Sequence, residues 1–230
     1  MKTFNHVTGL PDLKPLSVEE IHGKRYYISP SGKKLPSVTT VLGHFKKKQI
    51  SEWRARVGDE QANRISTRAA TRGTKFHNMM EKYLLNDNTL FEDIMPDMKQ
   101  AFHDVKDAID KIDNIHYIEG QMFSERLGLA GRTDCIGEYD GVLSIIDFKT
   151  AAEPKKDSYL YDYFVQETAY ACCLQEIYGL SVKQLVTIVA CENGETQVKV
   201  VPPKKEYLLQ LIQYIDEYKT RYGKKELIGR

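Results

Sequence analysis

Two short stretches of this 230-residue chain carry side chains able to do chemistry together: Gly131-Arg132-Thr133-Asp134 and Ile145-Ile146-Asp147-Phe148-Lys149-Thr150. Side chains on a strand alternate between faces, so a strand ending in Asp147-Phe148-Lys149 sets an acid beside an amine and turns the phenyl ring away. A neighbouring hairpin strand brings Asp134 to the same place. Two carboxylates next to one ammonium suit a hard divalent cation, Mg²⁺ or Mn²⁺, which keeps several waters for substrate phosphates. Such an ion polarises a phosphoryl oxygen and acidifies bound water, while Lys149 orients that water or offsets charge growing on phosphorus. A bare Asp-x-Lys is more often a surface ion pair, so the weight comes from its company. Gln166 and Tyr170 lie four apart on a following helical segment and share a face. Upstream, Gly73-Thr74-Lys75-Phe76-His77 sets an imidazole four residues after a glycine that permits close backbone approach.

Positioning these groups takes a sheet and its flanking helices. Arg25 to Ile28 and Leu35 to Leu42 flank the turn Ser29-Pro30-Ser31-Gly32 and predict a β-hairpin. Helix formers dominate from Glu52 to Asn86, with Gly73 as a break or a point of close approach, and Met95 to Asp113 is amphipathic with Pro96 near its start. The period then changes to two. His116 to Phe123, Leu127 to Glu138 and Val142 to Phe148 read as strands, the last two joined by Tyr139-Asp140-Gly141. A helix over Tyr159 to Tyr178 ends at Gly179; strands follow over Gln184 to Cys191 and Thr196 to Val201, then a helix from Lys204 to Tyr222. The expectation is an α/β protein, a central mixed sheet flanked by helices. It is a single domain over 1–230, mainly helical over 1–113 with an N-terminal hairpin and carrying its αβ core over 114–230.

Composition narrows the classes further. With 41% hydrophobic and 28% charged residues the chain is globular rather than disordered. The longest apolar runs, Val142 to Ile146 and Leu185 to Ala190, are buried-strand length and far too short to span a membrane. The first ten residues show no signal or transit pattern, which predicts a cytoplasmic protein, in host cytoplasm if phage-encoded. The four cysteines fit no disulfide framework and no C-x-x-C is present, so they read as reduced, buried small hydrophobes. The net charge of +1 conceals an asymmetry: residues 1–80 carry 15 basic and 6 acidic side chains, residues 81–146 carry 6 and 14. A first third at +9 predicts a polyanion-binding face whose affinity falls as salt rises. No G-x-x-x-x-G-K-[ST] phosphate loop occurs, so the chain does not hydrolyse ATP.

The order G-x-x-x-H, G-R-x-D, D-x-K, Q-x-x-x-Y across residues 35 to 170 resembles the RecB-like branch of the PD-(D/E)XK nucleases. Leu35-Pro36-Ser37-Val38-Thr39-Thr40-Val41-Leu42, Trp53 and Arg72-Gly73-Thr74-Lys75-Phe76-His77 are similar to a subgroup of mitochondrial genome-maintenance exonucleases and their phage-encoded relatives. The resemblance implies a restriction-endonuclease-like αβα core, its active site covered by the helical N-terminal region. It further implies a metal-dependent exonuclease that hydrolyses single-stranded DNA from free ends by a two-metal-type mechanism. His77, Asp134, Asp147 and the Phe148 carbonyl would hold Mg²⁺ or Mn²⁺, with Lys149 as catalytic lysine. Gln166 and Tyr170 would position Lys149 or the DNA backbone, and Glu125 matches an acid preceding the second motif. Ser37 and Thr39 match a phosphate-contacting segment, and Arg72, Thr74, Arg132 and Thr150 join the nucleic-acid-binding set. Pro-Ser-Val-Thr is equally a helix-start signal. Some RecB-like nucleases hold an iron–sulfur cluster on one upstream and three C-terminal cysteines; only Cys191 lies in the latter region, so no cluster is expected. A strand threaded under the helices needs a free end, and Tyr26, Tyr27, Trp53 and Tyr163 would stack its bases. A monomer is expected, with a helicase or polymerase as a candidate partner. The alternatives are a flap- or nick-specific endonuclease of the same fold and a catalytically silent DNA-binding module.

Overall fold

The computed structural model describes residues 1–92 and 94–226, with side chains through residue 222. In chain order the elements are β1 (Ser17–Ile21), β2 (Lys24–Ile28), β3 (Lys34–Pro36), α1 (Val38–Val57), α2 (Asp59–Leu84), α3 (Pro96–Ile109), β4 (Ile112–Ser124), β5 (Leu129–Tyr139), β6 (Val142–Ala151), α4 (Asp157–Tyr178), β7 (Gln184–Cys191), β8 (Thr196–Val201) and α5 (Lys205–Glu226). The first three strands form a small antiparallel sheet. The other five form the central sheet in the order β4-β5-β6-β7-β8, antiparallel throughout except for the parallel pair β6 and β7. That parallel pair requires a crossover, which α4 supplies.

Two hydrophobic cores lie on opposite faces of this sheet. Phe76, Met80, Phe102 and Val105 of α2 and α3 cover one face with Ile146, Phe148 and Ile188. Val41 of α1, Val165 and Leu174 of α4 and Leu211 of α5 cover the other with Ile145, Leu185 and Val189. Helix–sheet–helix layering is how an α/β chain buries a sheet that is apolar on both sides. Strands β4 and β5 do not keep one alternation along their length. Ile118 packs in the first core and Met122 in the second, and on the partner strand Cys135 packs in the first and Leu129 in the second. Residues an even number apart belong on one face of a regular strand, so both strands change faces between these positions. The change falls at Glu119, whose φ of 52° is left-handed backbone that a non-glycine residue seldom adopts.

The strands β7 and β8 fall where the sequence places them, and the Tyr139-Asp140-Gly141 turn has positive φ at both Asp140 (50°) and Gly141 (78°), as a two-residue hairpin requires. Two expectations change. Leu35 to Leu42 is not one strand: Ser37 is the N-cap of α1, its hydroxyl accepting from Thr40 N–H at 2.9 Å, so the chain turns helical at Val38. The helical break comes at Gly58 (φ 83°) and not at Gly73, which lies within α2 and faces Thr150 Oγ1. Tyr26 and Tyr27 are core residues, 3% and 2% exposed, and are withdrawn from the base-stacking set.

Gly131 shows how two distant motifs lock together. A β-carbon there would stand 2.7 Å from Cε1 of the buried Tyr170 ring and 3.4 Å from Val38 Cγ2. A side chain at 131 would therefore push α4 and α1 off the sheet. Gly131→Ala is expected to cost about 1–3 kcal/mol, the range for forcing a methyl into a packed interior, read as a lowered urea midpoint with an unchanged slope.

Candidate active site

The pairing of β5 with β6 runs from Tyr139↔Val142 to Cys135↔Ile146 and stops there. One residue further, the Phe148 N–H donates to Asp134 Oδ2 at 2.8 Å, so a side chain takes the place of a strand backbone. The strands splay apart, and the gap opens at the carboxyl ends of the parallel pair, where α/β sheets hold their ligands.

Into this gap project Asp134 from β5, Asp147 and Lys149 from β6, His77 from α2 and Gln166 from α4. His77 Nδ1 lies 3.3 Å from Asp134 Oδ1. Lys149 Nζ is ion-paired with Asp147 Oδ2, and Gln166 Nε2 donates to Asp147 Oδ1 at 3.2 Å and toward the Tyr170 hydroxyl at 3.5 Å. The same-face geometry of Asp147 and Lys149, the approach of Asp134 and the shared face of Gln166 and Tyr170 are thus all present in the fold.

Electrostatics at the cluster follow from burial first. Asp147 is 2% exposed, and desolvation raises its pKa to about 6 although Lys149 opposes the shift. Burial also works to raise Asp134, but the His77 hydrogen bond and charge, with Lys149, outweigh it and hold that carboxyl below the usual range. For Lys149 burial favours the neutral amine, yet Asp147 and Asp134 reverse this and keep the ammonium. His77 is similarly raised, burial being overcome by Asp134.

Two acids at the site carry no motif. Glu119, on the left-handed residue of β4, is the third member of a His77–Glu119–Asp134 group whose ligand atoms all lie within 4.8 Å of one another. Burial and the Asp134 charge raise its carboxyl. It is also ion-paired at 2.6 Å with Arg132 of the Gly-Arg-x-Asp stretch. The hairpin register could have found it, since Gly120↔Thr133 and Ile118↔Cys135 bracket Glu119 opposite Asp134. Glu167 is fully buried behind Asp147, accepts from the Thr187 hydroxyl and has its pKa raised well above the usual value, by burial and then by Asp147. Its sequence signal is an acid inside the apolar stretch Phe164 to Leu174.

Glu125 stands apart from this cluster. It lies in the β4–β5 turn, where Lys33 Nζ donates to it at 2.8 Å and Ser31 at 2.6 Å, contacts that pull its carboxyl down to about 2. Five residues of β5 separate that turn from Asp134, about 17 Å of extended chain. Phe148 enters the cluster through its amide, with its ring in the first core. Ser37 is buried as a helix cap while Thr39 beside it is exposed. Thr74 is exposed on α2, and Thr150 is half-buried beside Gly73. Arg72 is largely buried, its Nε 4.0 Å from Glu192, which also accepts from Arg68 at 2.6 Å. A cavity of about 470 Å³ lies elsewhere, between the β1–β2 hairpin, α1 and α5, lined in part by Arg25, Thr39, His44 and Tyr222 and by none of the clustered acids.

Converging carboxylates, an imidazole and a buried ammonium at the mouth of a mixed sheet are the equipment of a divalent-metal phosphodiester hydrolase. This chain belongs to the PD-(D/E)XK nuclease superfamily, whose sequence model matches residues 51–225. It is 27% identical over 172 residues to mitochondrial genome maintenance exonuclease 1 of Homo sapiens and 24% identical over 171 residues to that of Mus musculus, covering 70% of this chain each time. The chain spans about half the length of these relatives, 50% and 51%. An inferred exonuclease from Eubacterium rectale, of known structure, superposes with a TM-score of 0.48 at 13% identity over 65% of each chain. Nucleases of this superfamily use divalent metal ions, and the nitrogen and oxygen donors at His77, Glu119 and Asp134 fit one, since two mutually repelling acids share a small space with it. No helix among the described residues is long and apolar enough to cross a membrane.

A metal ion bound at this group would displace protons, because Glu119 and His77, and Asp147 beside them, are shifted toward their protonated forms. Divalent-ion affinity is therefore expected to rise with pH from about 5 to 7.5, as these groups lose their protons. Titration calorimetry should show it, with Glu119→Gln about tenfold or more weaker and Glu125→Gln unchanged.

Proposed function

We propose that this chain is a metal-dependent deoxyribonuclease that degrades single-stranded DNA from free ends. The observation that carries the end-dependence is the α1–α2 hairpin. Lys46 of α1 pairs with Asp162 of α4 at 3.3 Å on one side of the site, and Arg68 of α2 pairs with Glu192 beyond β7 on the other. Between those feet, from Lys47 to Thr71, only Trp53, Arg54 and Ala62 are not exposed. A basic helical arch over a catalytic cluster admits a flexible strand with an end and excludes a closed circle or a stiff duplex. The two relatives named as mitochondrial genome maintenance exonucleases agree with this reading.

The residues divide the work. His77, Glu119, Asp134 and Asp147, with the Phe148 carbonyl, would hold Mg²⁺ or Mn²⁺, a set large enough for a two-metal arrangement. Bound there, the ion supplies Lewis acidity toward the phosphoryl oxygen and a more acidic water. Lys149, ion-paired with Asp147 beside Asp134, serves as a positive charge at the reacting phosphate. It steadies the growing negative charge on the phosphorus oxygens. Gln166 fixes Asp147 from the opposite side, so the Asp147–Lys149 pair keeps one orientation. Tyr170 backs Gln166 and seals α4 against Gly131. The Glu167 carboxyl, pushed toward its neutral form by burial, fills the space behind Asp147. Arg72, Thr74, Arg132, Thr150 and Thr39 would serve as contacts to the DNA backbone.

End-labelled linear single strands, blunt duplexes and closed single-stranded circles, each with Mg²⁺, Mn²⁺ or EDTA, test this. Metal-dependent loss of linear single strands alone is expected. Lys149→Ala, verified as folded by circular dichroism, should be slower by about 10²–10⁴-fold. Cleavage of circles would replace the threaded reading with a flap- or nick-cutting endonuclease. Binding without cleavage under every metal would leave a silent DNA-binding module.

A further inference from the structure

Three ammonium groups converge on one ring at the edge of the site. Lys155 Nζ lies 4.9 Å, Lys149 Nζ 5.2 Å and Lys46 Nζ 5.6 Å from the Tyr163 centroid, all within the range at which a cation is attracted to an aromatic face. They come from the loop before α4, from β6 and from α1. Lys149 and Lys46 each have a carboxylate, Asp147 and Asp162. Among the described residues no carboxylate pairs with Lys155.

Lys155 is nonetheless fixed at both ends. Its ammonium donates to the Tyr163 hydroxyl. Its N–H donates to Gln197 Oε1 at 2.9 Å, and Gln197 Nε2 donates back to the Lys155 carbonyl at 2.8 Å, so one side chain of β8 clamps the loop. A long side chain held this way has given up rotamer freedom that a solvated surface lysine keeps. Asp147 and Asp162 offset two of the three ammonium charges, and holding the third beside them is unfavourable until an anion enters. Both costs are recovered on binding, because a pre-ordered cation loses little further entropy when it meets its partner.

We propose that Lys155 is a substrate-binding residue that takes the phosphate flanking the scissile one, with Tyr163 as the positioning residue that holds Lys155 and Lys149 together. This rests on the nuclease reading of the adjoining cluster and extends it: Lys149 acts in the chemical step, Lys155 in affinity. Tyr163 lies three residues before Gln166 and seven before Tyr170, so it continues their stripe on α4 outward from the metal-binding group toward the strand.

The test measures binding of a fluorescent oligothymidylate to the full chain in EDTA across a salt series, then cleavage of the same oligonucleotide with Mg²⁺. Lys155→Gln should flatten the slope of log K against log salt by about 0.7, the share of one single-strand phosphate. It should raise KM about tenfold, the size of one charge-assisted contact, with kcat within about twofold of wild type. Tyr163→Phe keeps the ring but loses the hydroxyl that holds Lys155, so it should raise KM, whereas Tyr163→Leu should lower kcat as well as raise KM. Lys111→Gln, between α3 and β4 where Lys111 pairs with Asp140 of the far β5–β6 turn, should change neither. An unchanged slope and KM in folded Lys155→Gln would overturn the proposal, as would equal loss of kcat in Tyr163→Phe and Tyr163→Leu. If wild type cleaves nothing with any metal while Lys155→Gln still flattens the slope, the phosphate contact stands and the catalytic reading fails.

Discussion

The parting of β5 from β6 at Asp134 governs everything around the site. A sheet that continued its ladder would satisfy the Phe148 N–H with a backbone carbonyl and leave no room for a ligand. Here a carboxylate accepts that N–H, so the unpaired backbone group and the largely buried acid solve each other's problem. The same carboxylate faces His77 with its other oxygen. Asp134 is thereby fixed by one strand and one helix, and the mouth of the sheet stays open without an orphaned donor.

Around this opening the two cores have different duties. The α2–α3 side anchors His77 through Phe76, Met79 and Met80. The α4 side presents Gln166, Glu167 and Tyr170 to β6, braced by Gly131. Because β4 and β5 change faces near Glu119, the seam between the cores runs through the acidic cluster itself. A left-handed residue in mid-strand costs energy, of order 1–3 kcal/mol, and such strain persists where surrounding packing over-determines it.

Much of this could be read in the residues. The periods of two and 3.6, the Asp140-Gly141 turn and the Gly179 cap carry their own local physics, so the central sheet and the crossover helix were legible. The Asp-x-Lys pair was legible for the same reason, since alternation along a strand is a local property. What escaped depends on distance in the sequence. The helix beginning at Val38 hinges on a Ser37 cap that looks like the end of a strand, and the break before α2 falls at Gly58 while Gly73, read as a break or a point of close approach, faces Thr150 inside the helix. Tyr26 faces inward because its hydroxyl meets Tyr218 of α5, a contact almost two hundred residues long in the sequence, while Tyr27 on the other face packs against Leu35 and Ala130. Glu119 and Glu125 are both acids in a strand or its turn; only the register of β4 against β5 separates them.

The arch from Lys47 to Thr71 contributes little to either core. Its two feet are held by polar contacts, Arg68 on Glu192 and Lys46 on Asp162 and the Tyr163 ring, and its middle buries little beyond Ala62. Stability and grip are therefore written in different parts of the chain. Substitutions along the arch can retune charge, length or curvature without passing through the folding threshold that constrains the sheet, so this segment is free to drift and adapt while the catalytic cluster beneath it stays fixed.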